Sequence, residues 1–105
     1  MDTGITRQRM ISRIIRAEGS LVALGDGSKI YARMISDPKR ISDVIRGADI
    51  DIKCDAVFEF GGENYGIINE SMSVKLGHED YVLKTLHPEF KQGICIRLKA
   101  AANRA

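Results

Sequence analysis

Hydrophobic and polar residues alternate most regularly between positions 49 and 60. Ile50, Ile52, Cys54, Ala56, Phe58 and Phe60 take every second place, with Asp49, Asp51, Lys53, Asp55, Val57 and Glu59 between them. Successive side chains of a strand point to opposite faces, so this run predicts a long strand with one buried face, ended by Gly61-Gly62. Cys54 falls on the apolar face and is expected in the core. Shorter runs surround it. Residues 20–24 and 29–35 flank Gly25-Asp26-Gly27-Ser28, whose Asp-Gly pair supplies the positive φ of a hairpin turn. Ser36-Asp37-Pro38 stops the second of these strands, because proline donates nothing to a ladder. Residues 71–76 and 80–86 predict a second hairpin around Gly77-His78-Glu79. Residues 87–93, with Pro88, read as a loop. Ile94, Ile96 and Leu98 alternate with Cys95, Arg97 and Lys99 as the last strand, and residues 100–105 read as a loose tail. Residues 63–70 fit either a return strand or a turn.

Two segments carry a helical period instead. Across residues 5–18, Met10, Ile11, Ile14 and Ile15 share one face while Arg9, Arg13 and Arg16 share another. Gly19 follows where a left-handed helix cap would sit. Four turns with one apolar stripe make a marginal helix alone, so it needs a partner surface, either its own sheet, which is favoured, or a neighbouring subunit. Residues 39–48 place Ile41, Val44 and Ile45 at helical spacing with no evident core partner. Exposed apolar groups of this kind mark interaction sites, so Ile41, Val44 and Ile45, with Arg46, are expected to form an assembly interface. The elements together predict a mostly β fold, a small β-barrel or sandwich of about six strands with one N-terminal amphipathic helix. A single domain is expected over residues 1–105, with a helical arm (1–19), a β core (20–99) containing a mobile loop (37–49), and the tail (100–105).

A chain of 105 residues buries a modest core and has little room for a deep pocket. Sixteen basic residues oppose fourteen acidic ones, and the resulting charge of +2 is too small to argue for nucleic acid by itself. Its placement says more. Arg7, Arg9, Arg13 and Arg16 gather at the start, Arg97, Lys99 and Arg104 close the chain, and Asp43, Asp49, Asp51 and Asp55 make the middle acidic. Such segregation suits a subunit that meets different neighbours at its two ends. No apolar run reaches the roughly 20 residues that cross a bilayer, and no apolar h-region follows the basic start. A cytoplasmic product with two reduced cysteines is expected.

Catalytic chemistry has few candidates. His78 lies in a turn and His87 precedes a proline, with no further ligands converging on either. Neither cysteine has a second Cys or His at metal-ligand spacing, no serine sits in a nucleophile elbow, and no Gly-Lys-Ser/Thr follows the glycine pairs. The chain reads as a non-enzyme with no catalytic residue, metal or cofactor. The strongest polar feature is the basic face of Arg9, Arg13 and Arg16, whose guanidinium groups could hold DNA phosphates, a neighbour's carboxylates or a phosphorylated ligand.

Two stretches together resemble the lambda-type head–tail attachment (head-completion) family of tailed bacteriophages. The first is Gly27-Ser28-Lys29-Ile30-Tyr31-Ala32-Arg33-Met34-Ile35-Ser36-Asp37-Pro38, similar to that family's strand entering an Asp-Pro corner. The second runs from Val74 through Gly77-His78-Glu79-Asp80-Tyr81 to Lys84, with Gly93-Ile94-Cys95-Ile96-Arg97-Leu98 after it, and is similar to the family's hairpin and final strand. The likeness spans residues 27–98. The segment Tyr65–Ile68 is more apolar than its equivalent in the family, and the N-terminal helix is more basic. The resemblance implies a structural virion subunit joining the head, at its portal, to the tail. It would assemble with itself into a ring, on the order of six or twelve copies, around the DNA channel, where non-specific DNA contact is possible. Its neighbours would be the portal or an adaptor protein and tail proteins, with no membrane. It would be made in the host cytoplasm and end in the virion neck. Loop 37–49 would become ordered on joining.

Two other readings stand beside this one. Arg9-Met10-Ile11-Ser12-Arg13 has the Arg-x-x-x-Arg form of PilZ domains, which bind cyclic dinucleotides. Asn69-Glu70-Ser71-Met72-Ser73-Val74 resembles their second motif, with valine where glycine is required. The third reading is a small nucleic-acid-binding β-barrel with an arginine-rich helix.

Overall fold

A computed structural model describes residues 3–36 and 54–105. Helix α1 (Gly4–Glu18) precedes strands β1 (Ser20–Leu24), β2 (Lys29–Ile35), β3 (Ala56–Gly61), β4 (Ser73–Leu76), β5 (Glu79–Lys91) and β6 (Ile94–Arg104). The six strands close into an antiparallel barrel in the order β1-β2-β3-β6-β5-β4, with β4 returning to pair with β1. The expectation of a small barrel or sandwich with one N-terminal helix thus resolves to a barrel. The expected loop 37–49 and the interface residues Ile41, Val44, Ile45 and Arg46 lie outside the described residues.

The barrel interior is filled from β3 and its neighbours. Phe58 and Phe60 point inward, and the Phe58 ring meets Tyr81 edge-on at 5.2 Å. Register explains the alanines beside them. Phe58 pairs with Ala100 and Ala56 with Ala102, so small residues of β6 leave room for the rings of β3 in a narrow lumen. Ala100, Ala101 and Ala102 are wholly buried, so residues 100–104 are strand, not the expected tail. Alanine has weak strand preference, and here packing on both faces decides.

Other expectations are changed or resolved. β5 runs on through residues 87–91, which were expected as a loop. Among the described residues no strand pairs with residues 84–91 of β5 on the side away from β6, so the missing N–H of Pro88 breaks no ladder. Residues 62–64 form one 3-10 turn and are followed by further turns, which resolves the ambiguity at 63–70 against a return strand. The alternation of β3 does not mean one wet face, since Val57 and Glu59 are as buried as the phenylalanines. Val57 packs with Ile35, and Cys54 joins this outer cluster instead of the lumen.

Helix α1 begins at Thr3, whose Oγ1 accepts from the Thr6 amide at 3.1 Å. Thr3→Ala should cost about 1 kcal/mol, read as a lower urea midpoint with an unchanged slope. The helix ends at Gly19 in extended backbone (φ −93°, ψ −170°), not in the expected left-handed cap. The glycine is needed for space, because a Cβ there would lie 2.5 Å from the carbonyl oxygens of Ala32 and Ile15. Gly62 has the same cause, as its Cβ would lie 1.8 Å from the Cys95 carbonyl oxygen. Ile11 and Ile15 anchor the helix on Ile96, as favoured from the sequence. Gln8 Nε2 adds a bond to the Cys95 carbonyl at 2.9 Å, and the Gly4 amide bonds Gln92 Oε1 at 3.0 Å. The helix thus spans from the β5–β6 hairpin to β2.

Candidate interaction face

Docking of α1 divides the stripe read from the sequence. Ile11 and Ile15 are buried, but Met10 and Ile14 are each 47% exposed. At about 100° per residue, Thr6, Met10 and Ala17 fall near one line on the outer side of the helix, with Arg13 and Ile14 beside it. All five are exposed. Arg9, Arg13 and Arg16 flank this line on one side.

A groove lies on each side of this line, and both carry basic side chains. On the arginine side, a shallow groove is lined by Gln8, Arg9, Ser12, Arg13, Arg16 and Glu63. Ser12 Oγ donates to Glu63 Oε2, tying the helix to the 3-10 turn. The Arg16 guanidinium lies 5.7 Å from the centre of the Tyr31 ring, a cation–π distance. Arg9 and Arg13 have no ion-pair partner among the described residues. On the other side, Met10 and Ile14 line a groove with Phe90 and Ile96, which also carries Arg7, Lys91 and Arg97 beside Glu89. Phe90 is half-exposed and meets the half-exposed Tyr65 edge-on at 5.3 Å. The three arginines expected to share a face therefore do so. The apolar stripe is divided: Ile11 and Ile15 pack on the chain's own sheet, as favoured, while Met10 and Ile14 stay exposed.

Beneath this surface lies a feature that reasoning from sequence missed. Glu59 is 3% exposed on the outer side of β3. Arg33 Nη2 approaches its Oε1 at 3.0 Å, and Arg97 Nε its Oε2 at 3.9 Å. Each arginine reaches a second acid, Arg33 to Glu18 of α1 at 2.5 Å and Arg97 to Glu89 of β5 at 3.7 Å. The result is a ladder of alternating charge across α1, β2, β3, β6 and β5. Arg97 Nε is buried and lacks a hydrogen-bond partner among the described residues, so its contact with Glu59 is Coulombic. The signal in the sequence was Glu59 itself, one acid between two phenylalanines.

The other groups with reactive potential are placed as follows. Cys95 is buried, its Sγ donating weakly to the Arg97 carbonyl, and burial pushes its thiol pKa up. Burial does the same for Cys54, so at neutral pH both are protonated thiols. His87 Nε2 lies 3.2 Å from Thr85 Oγ1, and no group of three or more His, Cys, Asp or Glu that could hold a metal is found among the described residues. The second stretch likened to PilZ domains forms the turn into β4, with Ser71 at φ +67°. Neither Asn69 nor Ser71 lines the groove that holds Arg9 and Arg13. No helix among the described residues is long and apolar enough to cross a membrane. No protein-family model matches this chain, and neither a curated protein nor a solved structure matches it.

Proposed function

We propose that this chain is a structural subunit that joins a phage head to its tail, one copy in a ring around the DNA channel, touching the portal or an adaptor on one side and tail proteins on the other. The observation that supports this most is that α1 is docked by one face and leaves a second face, apolar and basic, exposed among the described residues. An apolar face edged by basic residues suits contact with an unlike, acidic patch, and contacts between unlike patches close into rings when the rotation permits. Barrel closure favours the same reading. It removes most strand edges, and Pro88 stands on the open stretch of β5, so association would run through side-chain surfaces and not through added strands. The resemblance over residues 27–98 supplies the identity of the neighbours. The subunit would be made in the host cytoplasm and remain in the virion neck.

The test is to mix the purified chain with portal rings and image the mixture by negative stain. End-on density over the portal is the expected result, and its absence at every ratio would end the connector reading while leaving the fold untouched. A nucleic-acid-binding barrel draws support from one observation, the lack of ion-pair partners at Arg9 and Arg13. That reading requires duplex affinity that falls steeply as salt rises.

A further inference from the structure

The exposed half of α1 has the composition and layout of a helix-packing face, and we infer that it docks an acidic amphipathic helix of another protein. The inference deepens the assembly reading above by naming the chemistry of one neighbour.

The layout comes first. Met10 and Ala17, with the small Thr6 in line and Ile14 beside them, form a second, mainly apolar seam roughly opposite the Ile11–Ile15 seam that holds the helix to the barrel. Small residues at both ends and a methionine between them allow close approach of another helix, with the ridge of one entering the groove of the other. Arg9, Arg13 and Arg16 run along one edge at spacings of four and three, the flanking place from which charges select partners in paired helices. Beyond the other edge Phe90 and Tyr65 add aromatic surface, beside the basic Arg7, Lys91 and Arg97. Arginine, methionine and aromatics are the residue types enriched in protein interfaces.

Charge then selects the occupant. Helix α1 carries Arg7, Arg9, Arg13 and Arg16 against one acid, Glu18, which is already engaged by Arg33. Pairing α1 with its twin from a second copy would bring two basic rows together, so self-pairing through this face is disfavoured. Glu63 stands inside the arginine groove and repels phosphates and carboxylates alike, so the choice between them rests on the apolar seam. A helix with carboxylates at spacings of three and four, next to leucine or phenylalanine, matches the basic edge and the apolar seam together. DNA would use the arginines and leave Met10 and Ile14 bare.

The probe is a synthetic helix-favouring peptide with leucines at i, i+4 and i+7 and glutamates along one flank, titrated into the full isotope-labelled chain. Saturable binding should shift the amides of residues 6–17 and of Phe90, while those of β3 stay fixed. Arg9→Glu combined with Arg13→Glu, and separately Met10→Asp, should each weaken binding by about tenfold or more. These side chains are exposed, and unchanged β3 signals would verify that the variants are folded. A peptide with lysine in place of glutamate should not bind. The inference is overturned if the acidic peptide shifts no α1 amide, or if Met10→Asp leaves its affinity unchanged. It is equally overturned if random duplex DNA displaces the peptide with an affinity indifferent to Met10→Asp, which would assign the face to nucleic acid. Because no portal is present, failure here is distinct from failure of the connector reading.

Discussion

Glu59→Ala should lower the unfolding free energy by about 3 kcal/mol, measured as a fall in urea midpoint at constant slope. Removing one member of a buried ion pair leaves its partners without compensation, and fully buried pairs lose about 3–5 kcal/mol this way. The low end applies because the Arg33 and Arg97 side chains remain 32% and 31% exposed and keep Glu18 and Glu89. Against a total of about 5–15 kcal/mol for a domain, that loss is large. Glu59→Gln should lose less, since the amide oxygen still accepts from Arg33 and the cavity stays filled. The combination Arg33→Met, Glu59→Leu, Arg97→Met should recover most of the loss, because apolar replacement of an entire buried charge cluster is often neutral. If that triple variant were as unstable as Glu59→Ala, packing around residue 59 and not its charge would be the cause.

The sequence and the structure agree where one local signal dominates. The turn around Asp26-Gly27, the turn at Gly77 and the Ile11–Ile15 seam are each set by a few neighbouring residues, and all three appear where expected. Divergence begins where distant parts of the chain decide. Pro88 breaks strands in general, yet here it lies where β5 has one neighbour only. Residues 100–102 have no apolar bulk of their own, and their strand exists because Phe58 stands opposite Ala100. Alternation alone puts Glu59 on the solvent side opposite Phe58 and Phe60, and it is buried because Arg33 and Arg97 approach from strands distant in sequence. The candidate face was legible in half. Arginines at spacings of four and three announce a shared edge directly. Which of Met10, Ile11, Ile14 and Ile15 remain outside depends on the angle at which α1 meets β6, and that is fixed by Ile96, Gln8 and the glycines at both ends of the helix, not by the period of the helix.

Ending the chain after Leu98 should abolish cooperative folding. A tail would be dispensable. Here the cut removes the half of β6 that pairs with Ala56 through Glu59 on one side and with residues 81–87 on the other. Both ladders would open at once, exposing Phe58, Leu83 and the Val57 cluster to water. Each large apolar side chain so released forfeits about 1.5–3 kcal/mol of burial, and a few of them equal the whole stability of a domain this size. The truncated chain should show no sigmoidal urea transition and no dispersed amide spectrum, whereas removal of Ala105 alone, which is exposed and gives up one amide bond to Asp80, should change little. Because a truncated chain can fail for reasons of solubility, Ala100→Leu in the full-length protein provides a second measurement. The added bulk would face the Phe58 ring across the β3–β6 ladder, where overpacking costs about 1–3 kcal/mol, while a leucine at a solvated tail position would cost almost nothing. A wild-type midpoint for Ala100→Leu, together with a cooperative transition in the truncated chain, would contradict the extension of β6 to Arg104 and return these residues to the role of a tail.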